Sequence, residues 1–172
     1  ADELIERLLR ENTESQADIL MTVDAGRLVR AQSMGLLQPV SSPVLQENVP
    51  DHLRDKAGYW FGLTVRARVI AYHPDRVSPD ELSTYEDLAH PKWHGRILVR
   101  SSSNIYNQSL LASIIAHEGH AAAVAWASAI VANMSRTPQG NDRDQIKAIV
   151  AGEGDLALVN TYYIGRLITS SN

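Results

Sequence analysis

The chain has 172 residues, 44% hydrophobic and 21% charged, with a formal net charge of −4 and no cysteine. That is enough chain for one domain with a sizeable core or two small lobes. The missing cysteines exclude thiolate metal sites, thiol nucleophiles and disulfides, and the lack of a Lys/Arg block argues against nucleic acid as a partner. No apolar run approaches the ~20 residues of a membrane-spanning helix. No charged-then-apolar leader is present, which fits a cytoplasmic protein, a mature exported one or a shortened one.

In chain order, "DELIERLLREN" places Leu4, Ile5, Leu8 and Leu9 on one helical face. "ADILMTV" is a continuous apolar run and predicts a buried strand. "DAGRLVRAQSMGLL" predicts a helix, with Gly35 near its end. A helix with no strand before it suggests a chain that begins inside a longer α/β fold. Residues 41–58 read as loop. "YWFGLTVRARVIAY" is aromatic and β-branched and predicts one long strand or two consecutive ones. "HPDRVSPDEL" is a turn region, and "STYEDLAHPKWHG" holds a short helix stopped by Pro91. "RILVR" is a strand. "SSSNIYNQSLLASIIAHEGH" opens with capping residues and becomes a helix. An alanine-rich helix follows Gly119. "NDRDQIKAIVAGEG" is a helix capped by Asn141 or Asp142. "DLALVN" is a strand, and "TYYIGRLITSS" starts the last helix.

Three strand-to-helix junctions therefore stand out: 23–26, 101–106 and 160–163. In open α/β sheets, ligands bind beyond the carboxyl ends of strands, where helix N-termini offer free N–H groups and partial positive charge. Two of these junctions carry tyrosines in the first helical turn: Tyr106, and the pair Tyr162 and Tyr163, in a chain with only six tyrosines. That placement stabilises a phenolate or a bound anion. A free phenol, with a pKa near ~10, is neutral at pH 7, but a bound cation can displace its proton. Converging phenolates suit a hard ion such as Fe³⁺ better than Zn²⁺ or Cu⁺. The plainer reading of each tyrosine is a half-buried ring with a hydrogen-bonded hydroxyl.

Other candidates are weaker. His117 and His120 form H-E-x-H, not the H-E-x-x-H that puts two imidazoles on one helical face. His90 and His94 flank Pro91 and Trp93 in a loop and read as structural, and His73 marks a strand exit. Asp24 reads first as an N-cap and second as a ligand-facing group. The serines ending in Ser103 read as a capping cluster that could also hold an anion. "GNDRDQ" is a capped helix start with alternating charges. No G-x-S-x-G, P-loop or G-x-G-x-x-G occurs, and no acidic pair is spaced for acid–base work, so nothing points to an enzyme.

"ADILMTVDAGRL", "SSSNIYNQSL" after "HGRILV", "GNDRDQIKAI", and "TYYIGRL" after "GEGDLALVN" together resemble the periplasmic ferric-iron-binding proteins. These are the substrate-binding components of bacterial iron ABC importers, and the likeness is to the cyanobacterial branch over essentially the whole chain. The resemblance implies an α/β fold of the type II periplasmic-binding-protein kind, two lobes joined by hinge strands, with the first lobe incomplete. Residues 1–70 would hold the partial first lobe and one hinge crossing, and residues 71–172 the second lobe. It further implies Tyr106, Tyr162 and Tyr163 as ligands of Fe³⁺, Arg66 near the site, an accompanying anion such as carbonate, and a cognate ABC permease as partner in the periplasm. Apolar surface left open on "ADILMTV" would favour self-association. The alternative is a binding module of the same fold for an anion or small organic solute, anchored by the serines and Arg66.

Overall fold

The computed structural model describes residues 2–169, with side chains described as far as residue 165. Contacts divide the chain into two compact units, with the boundary between Val65 and Arg66.

The first unit is helical. Helix α1 (Asp2–Glu11) buries Ile5 completely, while Leu4 and Leu9 stay exposed. Helix α2 (Ala25–Ser33) is capped by Asp24, whose Oδ1 accepts from Gly26 N at 2.9 Å. The two helices are tied by Arg27 to Asp2 (2.9 Å) and Arg30 to Glu6 (3.0 Å). Gly35 ends α2 with φ 70°, a left-handed conformation that glycine adopts without penalty. Residues 41–58, expected as loop, instead contain α3 (Pro43–Asn48) and a 3-10 turn at Asp51–Leu53. The start signal is present in the sequence: Ser42 Oγ accepts from Leu45 N, and Pro43 occupies the first helical position.

"ADILMTV" is not a strand. Among the described residues no strand pairs with 17–23, and Ile19 and Met21 are 81% and 76% exposed. Its apolar content is that of a buried strand, but strand identity requires a neighbour to take up its N–H and C=O groups, which composition does not specify. The exposed apolar surface expected on this segment is thus observed. The aromatic run 59–72 is likewise shortened: only Arg68–Tyr72 (β1) is a strand, preceded by an isolated Arg54–Phe61 bridge.

The second unit is an α/β layer structure. Its sheet has the order β1–β3–β2, with β2 at Ile97–Leu98 and β3 at Leu156–Asn160. β3 runs antiparallel to β1, with Arg68 opposite Asn160, and parallel to β2. All five residues of β3 are buried, and strand alternation sends them to two cores. Leu156 and Leu158 join Ile97, Trp93, Leu110, Ile114 and Ile130 on the side of α4 (Ile105–Glu118) and α5 (His120–Asn133). Ala157 and Val159 join Leu98, Ala148 and Ile149 on the side of α6 (Asp142–Val150). β3 is therefore the central strand between helices on both faces, which explains its uninterrupted apolar sequence. The last helix, α7 (Thr161–Thr169), begins directly at its end. The segment at 83–94 forms two 3-10 turns rather than one helix, divided at His90–Pro91 because proline disfavours a helical residue before it.

The entry to β3 is held by Asp155, which accepts from Nε of Arg76 and, at 2.6 Å, from Nε of Arg96. Burial pushes its carboxyl up, but hydrogen bonds from Arg96 and Arg76 outweigh burial and hold it below the ordinary 3.8. A depressed folded value means that its stabilisation is complete above pH 3.8 and is lost as pH falls further. Asp155→Asn is expected to destabilise the protein by ~1–3 kcal/mol at pH 7. In urea unfolding, the gap from the parent should close below about pH 4; a gap independent of pH would remove this role.

Candidate metal centre

The topology explains why the tyrosines meet. β2 and β3 are parallel, so their carboxyl ends lie at the same edge of the sheet, and each feeds a helix there: α4 after the serine turn and α7 without a break. β1 is antiparallel and starts at that same edge, which delivers Arg66 and Arg68 beside the start of α7. The backbone ladder continues one step beyond the strands, Thr161 N donating to Ala67 O at 3.0 Å.

Tyr106 lies in the first turn of α4, where Asn104 Oδ1 accepts from Tyr106 N at 3.0 Å. Tyr162 and Tyr163 lie in the first turn of α7. The Tyr106 and Tyr162 hydroxyl oxygens are 3.3 Å apart, and the Tyr162 and Tyr163 rings stack with centroids 4.3 Å apart at 38°. All three are half-buried. The sequence-derived trio is thus brought together from two helices whose chain positions differ by 56 residues.

Four guanidinium groups surround the rings. Arg66 lies over Tyr162 at 5.9 Å, Arg68 and Arg100 over Tyr106 at 6.0 and 5.8 Å, and Arg143 over Tyr163 at 5.7 Å. Each is at cation–π range. The phenols are electrostatically unequal. For Tyr162, burial raises the pKa, but hydrogen bonds from Tyr106, Tyr163 and Asn160, with the charge of Arg66, outweigh it and bring the group below 10.0. Burial and the hydrogen bond to Tyr162 push Tyr106 up. Burial, followed by the interaction with Tyr162, pushes Tyr163 up to about 12. The surroundings thus ease Tyr162 toward the phenolate and hold Tyr106 and Tyr163 in the phenol form.

Beneath the rings, Asp142 is fully buried and accepts from Arg68 (3.1 Å), Arg100 (3.1 Å) and the Asn160 backbone N–H (2.9 Å). Arg68 also donates to Asn160 Oδ1 (2.9 Å), Asn107 Oδ1 (2.7 Å) and Leu158 O (2.9 Å). The sequence marks a capped helix start with alternating charges here, with Asn141 or Asp142 as the cap. Asn141 is indeed the cap, in a capping box with Asp144, but Asp142 turns inward because two cations wait there. Arg68 had a legible signal: two residues from Arg66 on extended backbone, it shares the same face. Arg100 and Arg143 carried none.

The other sequence candidates make local contacts. Ser103 is exposed and sits in the turn before α4, its Oγ 2.8 Å from Ser101 Oγ. Asp24 belongs to the first unit, as the α2 cap. His117 Nδ1 is 2.8 Å from Ser113 O on its own helix, and His90 Nδ1 accepts from Lys92 N in a turn. Among the described residues no group of three His, Asp or Glu side chains could hold a metal ion, so oxygen donors from phenols are the concentrated ligand chemistry here.

A family model described as "Bacterial extracellular solute-binding protein" matches residues 14–171. The chain is 55% identical over 172 residues to Iron uptake protein A1 of Synechocystis sp., covering 100% of this chain and 48% of that protein. Among solved structures, the Trichodesmium protein IdiA (FutA) in complex with iron and citrate ligands is 56% identical, with TM-score 0.92, covering 96% of this chain and 52% of that one. The ferric binding protein from Campylobacter jejuni is 46% identical, with TM-score 0.93, covering 99% of this chain and 54% of that one. The chain spans about half the length of the curated relatives it matches. Its α/β fold is a portion of the type II periplasmic-binding-protein fold. With the family model running through nearly all of the sequence, the chain belongs to the family of bacterial extracellular solute-binding proteins.

Proposed function

We propose that this chain binds ferric iron through the phenolates of Tyr106, Tyr162 and Tyr163, for delivery to the permease of an ABC importer on the periplasmic side of the membrane. The observation that carries the reading is the 3.3 Å approach of the Tyr106 and Tyr162 oxygens, with Tyr163 stacked beside them. Relatives named for iron uptake and for ferric binding support the choice of ion. In this reading residues 1–70 belong to a first lobe with its hinge crossing and residues 71–172 to a second.

The chemistry is capture and release, not catalysis. Fe³⁺ is a hard, highly charged ion that prefers anionic oxygen. Tyr162 offers the first phenolate, and the cation's charge makes the two higher-pKa phenols surrender their protons in turn. Arg66, above the Tyr162 ring, and Ser103, in the turn before α4, are the residues we assign to an anion accompanying the iron, carbonate or a carboxylate. The Trichodesmium relative, which holds citrate with iron, favours such an anion. Asp24 keeps the role of helix cap.

Adding ferric citrate to the purified chain is expected to give the visible charge-transfer band of an iron phenolate, and its absence ends the reading. Tyr162→Phe is expected to weaken iron binding at least about tenfold and to cost more than Tyr163→Phe, measured by competition with a chelator; unchanged binding in both would remove the pair. Each phenol that ligates releases a proton, so affinity falls as pH drops, by up to about tenfold per pH unit per phenolate. Affinity that is flat between pH 5 and 7, after correction for the chelator's own protonation, would count against phenolate ligation. Sedimentation tests self-association through the exposed 17–23 segment: the expected weight-average mass rises with concentration and falls in Ile19→Lys.

A further inference from the structure

We propose that Asp142 is a positioning residue: its buried carboxylate fixes the gap between the two tyrosine-bearing junctions and thereby sets the geometry in which the phenols meet a metal ion. The proposal deepens the iron-binding reading and rests on it for the metal readout only.

Three observations carry it. Asp142 has no exposed surface, and both its oxygens are engaged. One set of contacts leads to Tyr162 and Tyr163: Oδ2 accepts from the backbone N–H of Asn160, the last residue before α7. That N–H lies two residues from Tyr162, so its position decides where the α7 start is pinned. The other set leads to Tyr106: Asp142 holds Arg68, Arg68 donates to Asn107 Oδ1 at 2.7 Å, and Asn107 follows Tyr106 on α4. Asn107 Nδ2 in turn donates to Arg100 O (2.9 Å) and Ser101 O (3.3 Å), which fixes the turn entering α4. Arg100, the other guanidinium on Asp142, lies over the Tyr106 ring.

A single carboxylate therefore spans both junctions. Without it, two guanidinium groups in a crowded, largely buried space lose their shared anion and must move apart or toward water. Either movement carries Tyr106, whose ring is seated against both of those cations, relative to Tyr162, whose helix start is pinned through Asn160. Small displacements matter at a metal site, where ligands held by their neighbours' hydrogen bonds lose affinity when those neighbours change.

The test compares the parent chain with Asp142→Asn and Asn107→Ser. The first substitution keeps the size of the side chain while removing its charge. The second cuts the limb toward α4 without leaving a buried charge unpaired, and serves if Asp142→Asn does not fold. In the metal-free state, the ring resonances of Tyr106, Tyr162 and Tyr163 are expected to shift in folded variants, while those of Tyr72 remain in place. With ferric citrate, the charge-transfer maximum is expected to move and affinity to drop at least about tenfold. A residue with only a structural role lowers the melting temperature and leaves band position and tyrosine shifts as in the parent; that result overturns the proposal. If the parent shows no band, the iron reading fails, and the metal-free ring shifts alone decide the role of Asp142.

Discussion

The second unit depends on one buried electrostatic arrangement: a carboxylate shared by two guanidinium groups at the edge of the sheet where two helices begin. Removing an anion and two cations from water costs several kcal/mol per ion unless geometry and hydrogen bonding compensate. Here the compensation is partial: Asp142 accepts three hydrogen bonds and Arg68 donates to four separate acceptors, but Arg68 Nε is buried without a partner, and burial outweighs Asp142 and lowers the pKa of the Arg68 guanidinium. The cluster joins β1, β3, α4 and α6 through side chains from each. An apolar cluster of equal volume could pack as tightly, but it would not orient two helix starts or leave cations against phenol rings.

That arrangement follows from a simple sheet. One parallel and one antiparallel neighbour of β3 put two strand exits and one strand entry at a single edge. The exits bring tyrosines in the first turns of helices, and the entry brings arginines. The result is a half-buried, oxygen-rich, cation-lined surface in which one phenol is eased toward ionisation and two are held back.

The exposed segment 17–23 and the fully buried β3 have similar apolar composition and opposite fates. β3 has paired neighbours on both sides and helices on both faces. Residues 17–23 have no paired strand among the described residues, and Ile19 and Met21 face solvent. The chain covers about half of its curated relatives, so the family's full fold includes elements that this sequence does not supply.

Local rules made much of this chain legible. Helix starts were readable from Asn141 and Asp24, helix ends from Gly35 and Gly119, and the tyrosines' place in first turns from the strand-to-helix junctions, because caps and turns depend on a few adjacent residues; at α4 the cap is Asn104 and not the serines before it. Strand identity at 17–23 and 59–65 was misread because pairing is non-local. Asp142, Arg100 and Arg143 were invisible as site residues because nothing in a charged helix start tells which carboxylate turns inward. That choice is made only when β1 and β2 arrive on either side of β3 and bring two cations to one point, 74 and 42 residues away in sequence from the anion that holds them.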